Sequence, residues 1–284
     1  MVDLDFNYDA VIPQSPYIVY EEPRDRMTAD RSWEHLILKD MVSYPLLPEW
    51  YEKGKKGDPL NVCVDVGANV GIFTAYYQQL FKRFICIEAS RSNCKRMESN
   101  FTKLGVQNAQ IERAAAWSDS TSGFKLGYGT KKNRPGDCKM WTKDSSHKEY
   151  ETVPTLSLED LLKKYSLDSV DLLKVDIEGG EYEFLYGKDL SKINNLVVEL
   201  HPSEVGKENI KKLVDHIMSH SYKAVRKRSD SEIAGEIAQA TIQHGNPRQA
   251  PKSIDEIEFL EEVTNLESLQ YGCNTILFTK GSIK

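Results

Sequence analysis

The sequence predicts an α/β fold, a mostly parallel seven-stranded sheet with helices on both faces. Three observations predict it. Short, almost continuously apolar runs such as NVCVDV (61–66) and FICIE (84–88) recur along the chain. Strands of that kind are buried on both faces, as they are in parallel sheets. Segments of helical spacing separate these runs. Finally, a glycine-rich turn, Asp65-Val66-Gly67-Ala68-Asn69-Val70-Gly71, joins the first run to the first helical segment.

The 284 residues fit one large domain with appendages, at about 100–200 residues per domain. Apolar residues make up 40% and charged residues 28%, a globular composition. The net charge of -6 argues against bulk electrostatic binding of nucleic acid. No apolar run approaches a membrane span. Residues 1–20 carry Asp3, Asp5 and Asp9 and no basic residue, the reverse of a signal-peptide start, so the expected location is cytoplasmic. The five cysteines include no C-x-x-C pair and read as reduced, mostly buried thiols.

Residues 1–58 form an N-terminal extension, and residues 59–284 form the main domain. Within the extension, Trp33, Leu36, Ile37 and Met41 have helical spacing, and the turn cluster KGKKGDP (53–59) follows. The first strand is 61–66, then a helix over Val70–Leu80, then the second strand, 84–88. Cys94, Met97, Phe101 and Leu104 mark one face of a helix over Arg91–Leu104, which Gly105 ends. AQIERAAAW (109–117) is the third strand. Ser157 caps a helix through Tyr165, with Asp160 at the favourable third position. DLLKVDIE (171–178) and NLVVELH (195–201) are the fourth and fifth strands, with a short helix over Glu181–Tyr186 between them. Ile210, Leu213, Val214 and Ile217 mark another helix, and SYKAVR (221–226) and NTILFT (274–279) are the last strands. Two insertions break the rhythm. Segment 118–150 has seven basic residues against four acids, interleaved with Phe124, Tyr128, Trp141 and Tyr150. Segment 228–272 is polar, with one amphipathic stretch near Ile254–Leu260.

The glycine-rich turn carries the first chemical signal. Gly67 permits a tight turn and close approach to a ligand, and the N–H groups at a helix start favour an anion. Glu88, at the end of the second strand, stands where an acid accepts both hydroxyls of a ribose. A dinucleotide motif would need glycine at 69 and 72, but Asn69 and Ile72 stand there, and the phosphate-loop motif is absent. The remaining pattern, D-x-G-x-N-x-G, is similar to the first motif of class I S-adenosylmethionine-dependent methyltransferases.

Beyond that motif, the sequence resembles the FkbM family of these enzymes. The resemblance rests on VDVGANVGIFT (64–74), CIEAS (86–90), AAWSD (115–119) and above all DLLKVDIEGGEYEFL (171–185). Lys174, Asp176, Glu178, Gly179 and Glu181 supply the family's long motif, and Glu199 and His201 its Glu-x-His. The resemblance spans roughly 61–201. It implies a Rossmann-like class I methyltransferase fold, S-adenosyl-L-methionine as methyl donor, S-adenosyl-L-homocysteine as product, and acceptor hydroxyls on sugars, polyketides and related compounds. Ser90 is followed by Arg91 where a proline is common near the adenine. Segments 1–58 and 228–272 lie outside the resemblance.

In such a fold the first strand lies between the second and the fourth, and ligands sit over the C-terminal strand ends at that switch point. The expected cofactor-binding residues are Asp65, Gly67, Ala68, Asn69, Gly71, Glu88, Ser90, Ala115, Trp117, Asp176 and Glu178. Trp117 reads equally as a ring flanking the adenine or as a core aromatic. The paired glycines after Glu178 allow unusual backbone angles where the donor's amino-acid end would lie. Lys174 and Asp176 share one face of the fourth strand, as Glu199 and His201 share one face of the fifth. If the register aligns them, Lys174 faces Glu199 as a buried ion pair and Asp176 faces His201 at the mouth. The expected catalytic residues are therefore His201 as base, Asp176 to orient it or the substrate, and Lys174 and Glu199 behind them. A divalent metal bridging Asp176 and Glu199 would instead lower the alcohol pKa, although no ligand spacing demands one and no metal ligand is assigned.

The function expected is methyl transfer to a hydroxyl of a carbohydrate, glycan or related small molecule. The alternatives are 2'-O-methylation of an RNA ribose, which a Lys-Asp-Glu set can serve, and a non-catalytic cofactor-binding module. Charge argues against nucleic acid as partner, and the sequence does not choose an oligomeric state.

Overall fold

The computed structural model describes residues 44, 46–121, 123–128, 138–140, 149–227, 260–270 and 274–280. The elements, in chain order, are α1 (Pro48–Lys55), β1 (Leu60–Val66), α2 (Ile72–Tyr77), β2 (Phe81–Glu88), α3 (Arg91–Leu104), β3 (Ala109–Arg113), β4 (Ala115–Ala116), β5 (Gly123–Tyr128), β6 (Cys138–Met140) and β7 (Glu149–Leu156). Then come α4 (Leu158–Lys164), β8 (Leu172–Val175), α5 (Glu181–Leu185), β9 (Asn195–Leu200), α6 (Pro202–Val205), α7 (Lys207–Met218), β10 (Lys223–Lys227), β11 (Leu260–Glu262), a 3₁₀ turn (Leu266–Gln270) and β12 (Asn274–Thr279).

The main sheet runs β11-β10-β12-β9-β8-β1-β2-β3. From β3 to β9 every neighbouring pair is parallel, and β12 is antiparallel to both β9 and β10. These are the seven strands the apolar runs mark. The three-residue β11 adds an antiparallel edge to β10. It is too short to show a period in the sequence.

Alternation along the strands sorts the core into two layers. Val64, Ile85, Leu173 and Val198 face one layer, closed by Leu161 of α4, Phe184 of α5 and Leu213 of α7. Cys63, Cys86, Leu172 and Val197 face the other, closed by Trp50 of α1, Phe73 of α2 and Met97 of α3. Asp65, Glu88, Lys174 and Glu199 follow Cys63, Cys86, Leu172 and Val197 by two residues, so they share the second layer's face. Cys63, Cys86 and Cys94 are buried free thiols. Among the described residues no helix is long and apolar enough to cross a membrane.

Several expected boundaries move. The first helix spans only Ile72–Tyr77 because Gly71 is left-handed (φ 83) and starts it late, and β2 begins at Phe81. The third strand does not run to Trp117. It ends at Arg113; the Ala114 N–H donates to the Glu88 carbonyl (3.1 Å), and Ala115 and Ala116 then pair with β7. A second sheet, β4-β7-β5-β6, forms there from part of the expected 118–150 insertion. Ser157 caps α4 as expected, its Oγ accepting the Asp160 N–H (3.2 Å) and donating to the Asp160 carboxylate (3.0 Å). The expected helical stretch at Trp33–Met41 lies outside the described residues, as do 228–259.

The largest correction concerns register. Lys174 pairs with Val197, not with Glu199. The parallel ladder is offset by two residues from the expected one, which turns Lys174 toward β1.

Candidate active site

The C-terminal ends of the parallel strands β1, β2, β8 and β9 meet where the strand order reverses, between β1 and β8. Side chains sharing one sheet face converge there. At the base, Lys174 Nζ lies 3.2 Å from Asp65 Oδ1 and 3.6 Å from Asp176 Oδ2, and it donates to the Gly67 carbonyl at 3.1 Å. Asp65 also accepts the Thr74 hydroxyl at 2.9 Å. Lys174 and Asp65 are fully buried. Burial works against the lysine's charge, but Asp65 and Asp176 outweigh it and hold the Lys174 pKa above its ordinary value. The buried ion pair is thus Lys174–Asp65. The expectation corrected is the partner: a buried ion pair forms at Lys174 as expected, but with Asp65 and not with Glu199. Lys174 and Asp65 both position the turn above them.

That turn has three left-handed residues, Gly67 (φ 75), Asn69 (φ 52) and Gly71 (φ 83). A Cβ on Gly67 would lie 1.7 Å from the Asp176 carbonyl oxygen. The space left by the missing side chain is therefore filled by the end of β8, not kept for a ligand. A Cβ on Gly71 would meet Met97 Cγ and Phe101 Cε1 at 2.6 Å, so this glycine lets α3 pack close. Ala68 is buried among the second-layer apolar residues.

Glu88 closes β2. Its Oε2 accepts the Asn69 N–H (2.9 Å), and its Oε1 accepts the Ser90 N–H (2.8 Å) and the Asn93 amide (3.5 Å). Glu88 therefore locks the glycine turn to the start of α3. Ser90 is fully buried and caps α3 by accepting the Asn93 N–H, so its hydroxyl acts inside the fold. Ala115 packs with Leu126 and Val153, and the half-buried Trp117 ring lies 5.2 Å from Phe124. Trp117 thus belongs to the small sheet's aromatic surface.

At the mouth stand Asp176, Glu199 and His201. Their ligand atoms lie within 4.8 Å of one another. Asp176 does not orient His201. That contact belongs to Glu181, whose Oε1 accepts the His201 Nδ1–H at 2.8 Å. Glu181 is fully buried and also accepts the N–H groups of Gly179 (3.1 Å) and Ile177 (3.4 Å). It closes the turn in which Glu178 (φ 52) and Gly179 (φ 103) are left-handed. His201 Nε2 then faces Glu199 Oε1 at 3.8 Å and Glu178 Oε2 at 3.9 Å. Asp176 instead accepts the Tyr44 hydroxyl at 3.0 Å. Burial and then Asp176 keep that phenol protonated, well above its ordinary pKa. Tyr44 packs edge-on to Phe73.

Sequence reasoning named Glu181 in the long motif without giving it a site role, and it missed Tyr44. Glu181 had a readable signal, since Glu178-Gly179-Gly180-Glu181 is a turn whose second acid must go somewhere. Tyr44 had none, because nothing local ties residue 44 to residue 176.

The fold and this mouth define a class I, Rossmann-like methyltransferase. More narrowly, the chain belongs to the FkbM methyltransferase family, since the sequence model of the methyltransferase FkbM domain matches residues 65–231. No curated protein matches the chain. Among solved structures, it is similar to the FkbM methyltransferase from Methylobacillus flagellatus KT, at 15% identity and a TM-score of 0.41. That match covers 77% of this chain and 43% of the other, so the chain spans under half of that protein. It is also similar to an O-methyltransferase from Bacillus cereus in complex with S-adenosylhomocysteine (9% identity, 89% and 92% covered, TM-score 0.41). A third is an rRNA methylase from Streptococcus thermophilus (9% identity, 81% and 91% covered, TM-score 0.40).

Proposed function

We propose that the chain transfers a methyl group from S-adenosylmethionine to a hydroxyl of a carbohydrate, glycan or related small molecule in the cytoplasm. The observation that carries this reading is the mouth itself: Asp176, Glu199 and His201 gathered beyond the glycine turn, with His201 fixed by Glu181. Methyl transfer to an alcohol is an in-line displacement, so holding donor and acceptor aligned contributes most. The alcohol also has to lose its proton. In the ion-free site His201 Nε2 is the acceptor, because a carboxylate can only accept from Nδ1–H and this leaves the lone pair on Nε2. Asp176 and Glu199 orient the acceptor. Glu178 stands beside them for the donor's amino-acid end.

The small sheet supports a sugar as acceptor. Tyr150 is 49% exposed, and Lys125 lies over its ring at 4.8 Å. Aromatic faces stack on sugar rings, and lysines hold a phosphate or carboxylate. The RNA ribose reading needs Lys174 at the reacting oxygen, but the buried Asp65 pair occupies it.

The test is His201→Ala, assayed with a labelled methyl donor against glycans and nucleotide-linked sugars. The expected loss is about 10²–10⁴-fold in transfer rate, with S-adenosylhomocysteine affinity unchanged by calorimetry. Transfer at near wild-type rate would remove His201 from the proton's path.

Glu88 gives the cofactor site a pH signature. Burial pushes its carboxyl from the ordinary 4.5 up to about 7, against the N–H donors of Ser90 and Asn69. The folded chain keeps this proton where the unfolded chain has lost it, so stability falls as pH rises through that window. A ribose donating its hydroxyls favours the carboxylate, so cofactor binding expels the proton. Affinity for S-adenosylhomocysteine should therefore rise from pH 4.5 to about 7 and level off above it. Glu88→Gln should bind more weakly and flatten the profile. An unchanged profile in that variant would place the ribose elsewhere.

A further inference from the structure

We infer that Asp176, Glu199 and His201 form a site for a divalent cation, which holds the acceptor's hydroxyl oxygen. The inference rests on the reading of the mouth as the acceptor site, and it changes His201 from proton acceptor to ligand when the ion is bound.

Three observations carry it. First, three donors of two kinds converge from neighbouring strand ends, with their ligand atoms within 4.8 Å of one another. Two carboxylates and an imidazole suit a divalent first-row ion such as Mn²⁺, which accepts both oxygen and nitrogen. Second, the histidine is built as metal-ligating histidines are. Its Nδ1–H is held by the buried Glu181 at 2.8 Å, which fixes the tautomer and turns Nε2 toward the other two donors. Third, Nε2 and the Glu199 and Glu178 oxygens face one another at 3.8 and 3.9 Å. That spacing is too long for a hydrogen bond and is the one that two ligand atoms take when each lies about 2.1 Å from a shared ion.

Tyr44 completes the arrangement from outside the residues that the family model matches. Its hydroxyl donates to Asp176 Oδ2 at 3.0 Å, which fixes one carboxylate oxygen and leaves Oδ1 for the ion. An alcohol oxygen bound to such an ion has a lowered pKa, and its proton passes to solvent water.

The experiment uses the full chain saturated with S-adenosylhomocysteine and follows Mn²⁺ binding through the spin-resonance signal of the free ion. The expected result is a single equivalent of bound Mn²⁺, weakened about tenfold or more in Glu199→Gln and in Asp176→Asn. The exposed Glu52→Gln should bind as wild type. Calorimetry of S-adenosylhomocysteine on the same samples reports the cofactor reading separately. No bound Mn²⁺ in a chain that takes up S-adenosylhomocysteine overturns the ion site and leaves the methyltransferase reading intact. Equal Mn²⁺ binding in Glu199→Gln and wild type overturns it too. Displacement of Mn²⁺ by S-adenosylmethionine but not by S-adenosylhomocysteine would overturn it in favour of a seat for the sulfonium.

Discussion

Replacing Lys174 by methionine should destabilise the fold by about 3–5 kcal/mol, the usual loss when one partner of a buried ion pair is removed. The cause is Asp65, not the lost attraction. Its carboxylate is fully buried, and Lys174 Nζ at 3.2 Å is the cation beside it. Without that cation the group must either stay charged in an apolar layer or take up a proton. Urea unfolding should show a lower midpoint with an unchanged slope, the sign of lost stability without a changed fold. The double variant Asp65→Asn with Lys174→Met should recover most of the loss, because a neutral pair leaves no buried charge behind. A loss under about 1 kcal/mol in Lys174→Met would mean that water reaches Asp65, and the ion pair would then be an ordinary surface one.

This pair also shows how far the sequence could be read. The strands were legible because they are buried on both faces and therefore apolar throughout. VCVDV and FICIE have nothing else to be. The grouping of Asp65, Glu88, Lys174 and Glu199 on one face was legible too, since it follows from a period of two. Which of them touch was not. Partner choice depends on the offset between neighbouring parallel strands, and the sequence of β8 and β9 fits either offset with apolar residues opposite one another. The ladder that forms pairs Leu173, Lys174 and Val175 with Leu196, Val197 and Val198, and on the other side of β8 the Gly67 backbone sits against the Asp176 carbonyl. Glu181 was named from the long motif and His201 from the Glu-x-His. Their contact crosses a turn with two left-handed residues, which local preference does not foresee. The break at Ala114 has the same origin. AQIERAAAW is a good strand locally, but Glu88 claims the Ala114 N–H and β7 then claims Ala115 and Ala116.

Among the described glycines, Gly67→Ala should be the most damaging addition of a single methyl group. The added Cβ would stand 1.7 Å from the Asp176 carbonyl oxygen, 2.7 Å from its carbon and 3.0 Å from Ile177 Cγ2. No side-chain rotation relieves this, because a Cβ has no rotamer and the obstacle is backbone. Two costs add. A non-glycine residue at φ 75 is strained by about 1–3 kcal/mol, and forcing extra volume into a packed site costs about 1–3 kcal/mol more. Gly105→Ala separates them. Gly105 has nearly the same angle (φ 68), but its added Cβ would meet nothing within 4 Å, so it carries the strain alone. The difference between the two variants measures the contact. Function should suffer beyond stability, because relief requires β8 to move away from β1. That shifts Asp176 and the lysine that donates to the Gly67 carbonyl. A misplacement of roughly 1 Å in a reacting geometry costs about 10²-fold. At a temperature where Gly67→Ala is still folded, its transfer rate should therefore fall by about that factor while Gly105→Ala keeps wild-type activity. If the two variants unfold at the same urea concentration and turn over alike, the Gly67 backbone is not in contact with the Asp176 carbonyl, and the ends of β1 and β8 would have to lie further apart.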